Sequence, residues 1–226
     1  MRMYIIFARG KPLRFLSHLD MMRLWERALR RAGLPLCYSQ GYHPHPRLSL
    51  ALPLSVGMTA EAEWLEVEFA SSVSPEAVWE RLQPQLPAGL SLQAVREAPP
   101  QAPPLAAQVR GSEVEVEVPQ PPPPAEVQER IRRFLEAGAF PVEEEHKGRP
   151  RVLDLRPTVE TIEMVSWSPD RARLRLRLKA TGRPTLLLRA LGLGETAGGD
   201  PPSFHRRRLF LTLERAAVEP AGEVSR

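Results

Sequence analysis

Cysteine is all but absent: Cys37 is the only one in 226 residues. A lone thiol excludes an internal disulfide, and it excludes an iron–sulfur cluster or zinc site ligated by cysteines of this chain alone. The chain is therefore expected to be neither a radical enzyme nor a thiol enzyme, and to carry no cofactor. Long apolar runs are missing too. No window approaches the roughly 18 residues needed to cross a bilayer, and the opening MRMYIIFARGKPLR is too short and too interrupted for a signal peptide. A cytoplasmic location with no membrane partner is the expectation. No GxSxG, Walker A, GxGxxG or HExxH string occurs, so none of the commonest catalytic or phosphate-binding signatures applies.

What is present suits a folded protein. Apolar residues make up 42% and charged residues 26%, too apolar for wholesale disorder. The length exceeds what one small core usually serves, which favours two domains. Net charge is +4, and its location says more than its size. Residues 1–60 hold nine Lys/Arg against two acids, Asp20 and Glu26, which leaves +7 there and −3 over the rest.

Periodicity divides the chain into two similar halves. MRMYIIFA alternates as a strand, and Ser17 with Asp20 three residues on starts a helix that Gly33 and Pro35 stop. Met21, Trp25, Ala28 and Ala32 mark its buried face, with Arg23, Arg27 and Arg30 half a turn away. An extended arm, the strand EAEWLEVEFA, the helix SPEAVWERLQPQL and the strand LSLQAVRE complete a βαββαβ order. The second half repeats it through EVEVEV, AEVQERIRRFLEAG, extended stretches around VLDLRPTVETIEMV and RARLRLRLK, the helix LLLRALGL and the strand LFLTLE. The fold class expected is α+β, with two tandem ferredoxin-like (βαββαβ) domains whose antiparallel sheets carry helices on one face. Boundaries fall at 1–98 and 109–215, joined by a stiff Pro-rich linker at 99–108 and followed by a flexible tail at 216–226; the GETAGGDPP loop is expected to be mobile.

Two basic features compete as binding surfaces. The strand RARLRLRLK sets Arg171, Arg173, Arg175, Arg177 and Lys179 on one face, but first and third strands are neighbours in a βαββαβ sheet. Glu113, Glu115 and Glu117 should therefore lie opposite those arginines as cross-strand pairs. The basic helix has fewer nearby acids: Glu26 serves Arg30 and Arg23, while Arg14, Arg27, Arg31 and Arg47 have no evident partner. The segment Tyr38–Arg47 follows, its backbone fixed by Gly41, Pro44 and Pro46, and it is rich in stacking faces and hydrogen-bonding groups. The candidate RNA- or substrate-binding residues are therefore Arg14, Ser17, His18, Asp20, Arg23, Arg27, Arg30, Arg31, Gln40, Tyr42, His43, His45 and Arg47, and of these Arg14, His18, Arg23, Arg27, Gln40, His45 and Arg47 are expected to share one concave basic surface. His43 and His45 could ligate a metal with His18, but without a carboxylate partner local or phosphate hydrogen bonding is the better reading, and no metal is assigned.

The string from Arg14-Phe15-Leu16-Ser17-His18-Leu19-Asp20, through the Arg27–Ala32 helix, to Ser39-Gln40-Gly41 and Pro46 resembles the radical-SAM-associated family. This is an uncharacterised domain found beside, or fused to, radical S-adenosylmethionine proteins. Phe-Asn is usual in that family where Tyr42-His43 stands here, which argues against His43 as an essential ligand. The resemblance implies a radical S-adenosylmethionine protein as partner. By strand pattern alone, the chain is also similar to CRISPR repeat-processing RNA endonucleases. The function expected is an RNA-binding or substrate-presenting accessory protein. The alternatives are an RNA endonuclease, with His18 or His45 moving a proton and Arg27 and Arg47 holding phosphate, and an adaptor that binds only protein.

Overall fold

The computed structural model describes residues 1–146, 148–194 and 200–212. The expected tail and the centre of the GETAGGDPP loop lie outside the described residues. The first half contains β1 (Arg2–Arg9), α1 (His18–Arg31), β2 (Leu48–Leu50), β3 (Met58–Glu68), α2 (Pro75–Leu82) and β4 (Leu90–Glu97). After α3 (Leu105–Gln108), the second half runs through β5 (Val109–Pro119), α4 (Pro124–Glu136), the hairpin β6 (Pro141–His146) and β7 (Arg149–Asp154), β8 (Val159–Trp167), β9 (Arg171–Lys179), α5 (Pro184–Ala190) and β10 (Ser203–Leu211). The result is a mixed α+β structure built on one large, mostly antiparallel sheet.

That sheet is continuous, in the order β4-β1-β3-β10-β5-β9-β8 with β2 also on β3, where two separate sheets were expected. The join is the parallel pairing of β10 with β3 through Phe204↔Met58, His205↔Thr59 and Arg206↔Ala60. Sequence patterning gives no sign of it, because the partners lie 146 positions apart and each strand reads the same whether its outer edge is free or paired. Beside the join, the buried Arg206 donates Nε to Glu63 Oε1 at 2.6 Å, and its NH2 group reaches Glu63 Oε2 at 2.5 Å and the Leu52 carbonyl at 2.8 Å.

Alternation sorts the rest by face. Met3, Ile5 and Phe7 of β1 pack with Leu65 and Val67 of β3 beneath Met21, Trp25, Ala28 and Leu29 of α1. In the second half, Val114, Val116 and Val118 join Leu174, Leu176 and Leu178 beneath Val127, Ile131 and Phe134 of α4 and Leu186–Leu188 of α5. Tyr4 points to the other face, where it forms a smaller cluster with Leu105, Val109, Leu209 and Leu211. This cluster corrects the linker. Residues 99–108 do not simply span: Leu105 is wholly buried, its amide donates to Glu66 at 3.2 Å, and Gln108 donates to the Tyr4 hydroxyl at 3.1 Å. Proline content marks a stiff segment but says nothing of the apolar patch around Tyr4 and Trp64 that Leu105 covers.

EVEVEV and RARLRLRLK are antiparallel neighbours in the expected register, with Glu113↔Arg177, Glu115↔Arg175 and Glu117↔Arg173. The ion pairs spread wider than one ladder. Arg171 and Arg173 meet Glu117, Arg175 and Arg177 meet Glu163 and Glu160 of β8, and Glu113 and Glu115 face Arg208 and Arg207 of β10. The arginine strand is thus neutralised within its own sheet, at tenths of a kcal/mol up to about 1 kcal/mol per exposed pair.

Candidate nucleic-acid interface

The interface begins with a buried cation. Arg9, at the end of β1, is 3% exposed, and its guanidinium donates to three backbone carbonyls: Leu13 at 3.1 Å, Arg14 at 2.7 Å and Leu16 at 3.0 Å. Burial lowers its pKa, and the facing Glu63 opposes that shift. Those bonds, with the Gly57 amide on the Arg14 carbonyl at 2.7 Å, fold the chain tightly into the start of α1. Ser17 caps the helix. Its hydroxyl accepts from the Asp20 amide at 3.2 Å and donates to Asp20 Oδ2 at 2.6 Å. This hydroxyl bond is the main cause holding the Asp20 carboxyl below its ordinary range, with Arg23 and Arg27 adding to the effect. Ser17 and Asp20 thereby shape the helix start rather than offering free ligand groups.

His18, Asp20, Arg23, Arg27, Arg30 and Arg31 are all exposed on α1. Arg23 lies 3.7 Å from Asp20, and Arg30 lies 2.7 Å from Glu26. Arg31, expected to be unpartnered, donates to the Gln85 carbonyl at 2.6 Å. Arg27 has no ion pair or hydrogen bond among the described residues and interacts only through space with Asp20. Arg14 lies over the Phe15 ring at 4.5 Å. Phe15 and Leu19 are 67% and 65% exposed, a pair that sequence reasoning misses. A signal for them exists: Leu19 is a large apolar residue off the buried stripe of α1, and Phe15 is one placed just before the Ser17 cap.

The 37–47 segment is a pinned hairpin. Cys37 and Arg47 bond to the backbone of Glu68 and to each other at 2.8–2.9 Å, Ser39 and His45 close the neck, and Tyr38 bridges Pro46. Arg47, also expected to be unpartnered, reaches Glu68 at 3.2 Å. Gln40, Gly41, Tyr42, His43 and Pro44 form an exposed tip, with Tyr42 99% exposed and its ring edge-on to that of His43. Arg30 ties hairpin to helix, its Nε donating to the Tyr38 hydroxyl at 3.2 Å with the guanidinium over that ring.

Two groups of candidates emerge. Arg30 joins the hairpin carrying Gln40, Tyr42, His43, His45 and Arg47. Arg14, Ser17, His18 and Asp20 stand at the other end of α1, about 18 Å away by the axial rise of a helix, with Arg23 and Arg27 between. Among the described residues no contact links His18 to His45, and no three His, Cys, Asp or Glu side chains are grouped to hold a metal.

A family model described as an uncharacterized protein conserved in bacteria (DUF2344) matches residues 2–188. The chain belongs to this family. Among curated proteins, none matches it. Of solved structures, a chain of a Cbf5–Nop10–Gar1 complex is similar at 11% identity and a TM-score of 0.50, over 92% of this chain and 50% of that one. A chain of an H/ACA RNP bound to a substrate RNA containing 2'-deoxyuridine is similar at 11% identity and a TM-score of 0.45, over 92% and 48%. The family member described here thus spans about half the length of those chains. The likeness to the first of these is one of fold alone. No described helix is long and apolar enough to cross a membrane.

Proposed function

We propose that this protein binds single-stranded or looped RNA along the outer face of α1 and the 37–47 hairpin, and presents it in the cytoplasm to a radical S-adenosylmethionine enzyme. The architecture is read as two βαββαβ units, 1–98 and 109–215, fused edge to edge, with the functional surface on the first. One observation carries the proposal: Tyr42 stands 99% exposed at the tip of a hairpin that is rigid at its neck and tied to a row of arginines. Aromatic platforms beside guanidiniums are what unstacked bases and a phosphate backbone use, each stacked base contributing about 1–3 kcal/mol. The Arg27 guanidinium reaches solvent without an ion pair among the described residues, unlike the cross-paired arginines of β9. The partner enzyme follows from the sequence resemblance and from a chain whose single cysteine leaves cluster chemistry to another protein.

The test is titration of labelled single-stranded RNA at several salt concentrations. Arg27→Glu with Arg31→Glu should weaken binding and flatten the log–log salt slope, by about 0.7 for each phosphate no longer neutralised. Arg173→Glu with Arg175→Glu should mainly destabilise the sheet. A folded β9 variant that loses RNA, beside an α1 variant that binds normally, would overturn the assignment.

A further inference from the structure

The face of the sheet opposite α1 and α4 carries a cavity at the β3–β10 join. Its volume is about 630 Å³, within the usual range for small-ligand sites. Four strands and a turn contribute to it. Ala8 and Ser91 come from β1 and β4, Thr59 and Glu61 from β3, His205 and Arg207 from β10, and Lys11 from the turn after β1. The floor is made of small groups, Ala8, Ala60, Gly10 and Gly89, and the Gly10 amide bonds the Gly89 carbonyl at 2.8 Å.

The polar side chains are organised. Glu61 Oε2 lies 2.9 Å from Arg207 Nε and 3.7 Å from His205 Nε2, and Thr59 Oγ1 lies 2.8 Å from His205 Nδ1. One carboxylate and one hydroxyl therefore set the orientation of an imidazole and a guanidinium. Behind Arg207, Glu115 approaches at 3.8 Å from outside the cavity wall. Lys11 is exposed, and its ammonium makes no ion pair or hydrogen bond among the described residues. The lining carries three permanent cations, Arg9, Lys11 and Arg207, against one carboxylate already engaged by its neighbours, and of the three Arg9 is committed to backbone carbonyls. Its remaining hydrogen-bonding capacity is mostly donor: the ammonium, the free guanidinium N–H groups and the Ser91 hydroxyl, the Thr59 hydroxyl being engaged with His205 and the Phe204 carbonyl. With no Phe, Tyr or Trp in the lining and the His205 ring held by Thr59 and Glu61, recognition falls on the phosphate and sugar rather than on base stacking.

We infer that this cavity is a phosphate-monoester site of nucleotide size, with Lys11 and Arg207 holding the phosphoryl oxygens and Ser91 and His205 meeting the ribose hydroxyls. A free nucleotide and the 5'-phosphorylated end of an RNA share that chemistry. The site is independent of the α1 surface. It uses different residues on the opposite face of the sheet, and the two halves of the chain must join before it exists.

The experiment uses the full chain with inorganic phosphate, uridine 5'-monophosphate, uridine, and a short oligouridylate in 5'-phosphorylated and 5'-hydroxyl forms. Calorimetry gives affinities, and the His205 ring protons report the site by NMR. The 5'-phosphorylated probes should bind at least tenfold more tightly than their unphosphorylated counterparts. Lys11→Glu should abolish that ratio, and Arg207→Gln should do so with the fold checked by circular dichroism. Arg27→Glu with Arg31→Glu should leave the mononucleotide ratio unchanged, which separates failure here from failure of the RNA surface. Tight binding by the mononucleotide identifies a free nucleotide as ligand, and tight binding by the phosphorylated oligomer alone identifies an RNA end. Equal affinities with and without the 5'-phosphate, or a ratio that survives Lys11→Glu, would overturn the inference.

Discussion

Among single residues, the exposure or burial of polar and aromatic groups separates binding roles from structural ones. Tyr42 holds no structure together, so Tyr42→Ala should leave thermal stability unchanged while weakening RNA binding about tenfold or more, the loss expected for one stacked base; paired melting curves and titrations check both halves of that statement. Glu66 is the opposite case. It is 8% exposed, and burial raises its pKa despite the nearby Arg2 and the bond from the Leu105 amide. A carboxyl with a raised folded pKa binds its proton more readily when folded. The stability it contributes is therefore present at low pH and lost as pH rises from the ordinary carboxyl value through the raised one. Glu66→Gln should match the parent in acid and gain on it as pH rises through that window, measured by denaturant midpoints over a pH series that starts at the ordinary carboxyl value and runs upward.

Among the elements, strands and helices are easier to read from sequence than the company they keep. The caps and stops of α1 are legible because Ser17, Asp20, Gly33 and Pro35 act locally, and Gly33 does adopt a left-handed φ of +62°. The register of β5 on β9 is legible because alternating charge and valine leave little freedom to slip. Neither cue reaches across the molecule. Arg31 and Arg47 look unpaired in sequence because Gln85 and Glu68 are far along the chain, and the 99–108 segment looks like a spacer because composition records stiffness rather than docking. Arg9 illustrates the same limit. A lone arginine at a strand end gives no hint that it holds three carbonyls, yet Arg9→Met should cost about 2–4 kcal/mol, as charged hydrogen bonds to buried groups are lost. Chemical denaturation measures that loss. It should also loosen the start of α1, seen as faster amide exchange at Leu16 and Met21 than in the parent.

For the whole molecule, the join between β3 and β10 makes one continuous sheet of strands from both halves of the chain. Glu63 sits between Arg206 and Arg9, so Glu63→Ala would strand buried guanidinium charge and should cost about 3–5 kcal/mol. The parent is expected to melt in one calorimetric transition, and the variant to show the halves melting apart. The join also has a bearing on how the protein is made. Met58–Ala60 of β3 waits for a strand encoded about 146 positions later. Throughout synthesis of the intervening chain, that stretch of backbone is an open edge, able to pair with any other nascent strand. Closing so long a loop carries a large entropic cost, which slows maturation. Growth temperature and chaperone supply should therefore govern the yield of native protein more strongly than its final stability does, and truncation before Ser203 should leave an aggregating product rather than a smaller folded one.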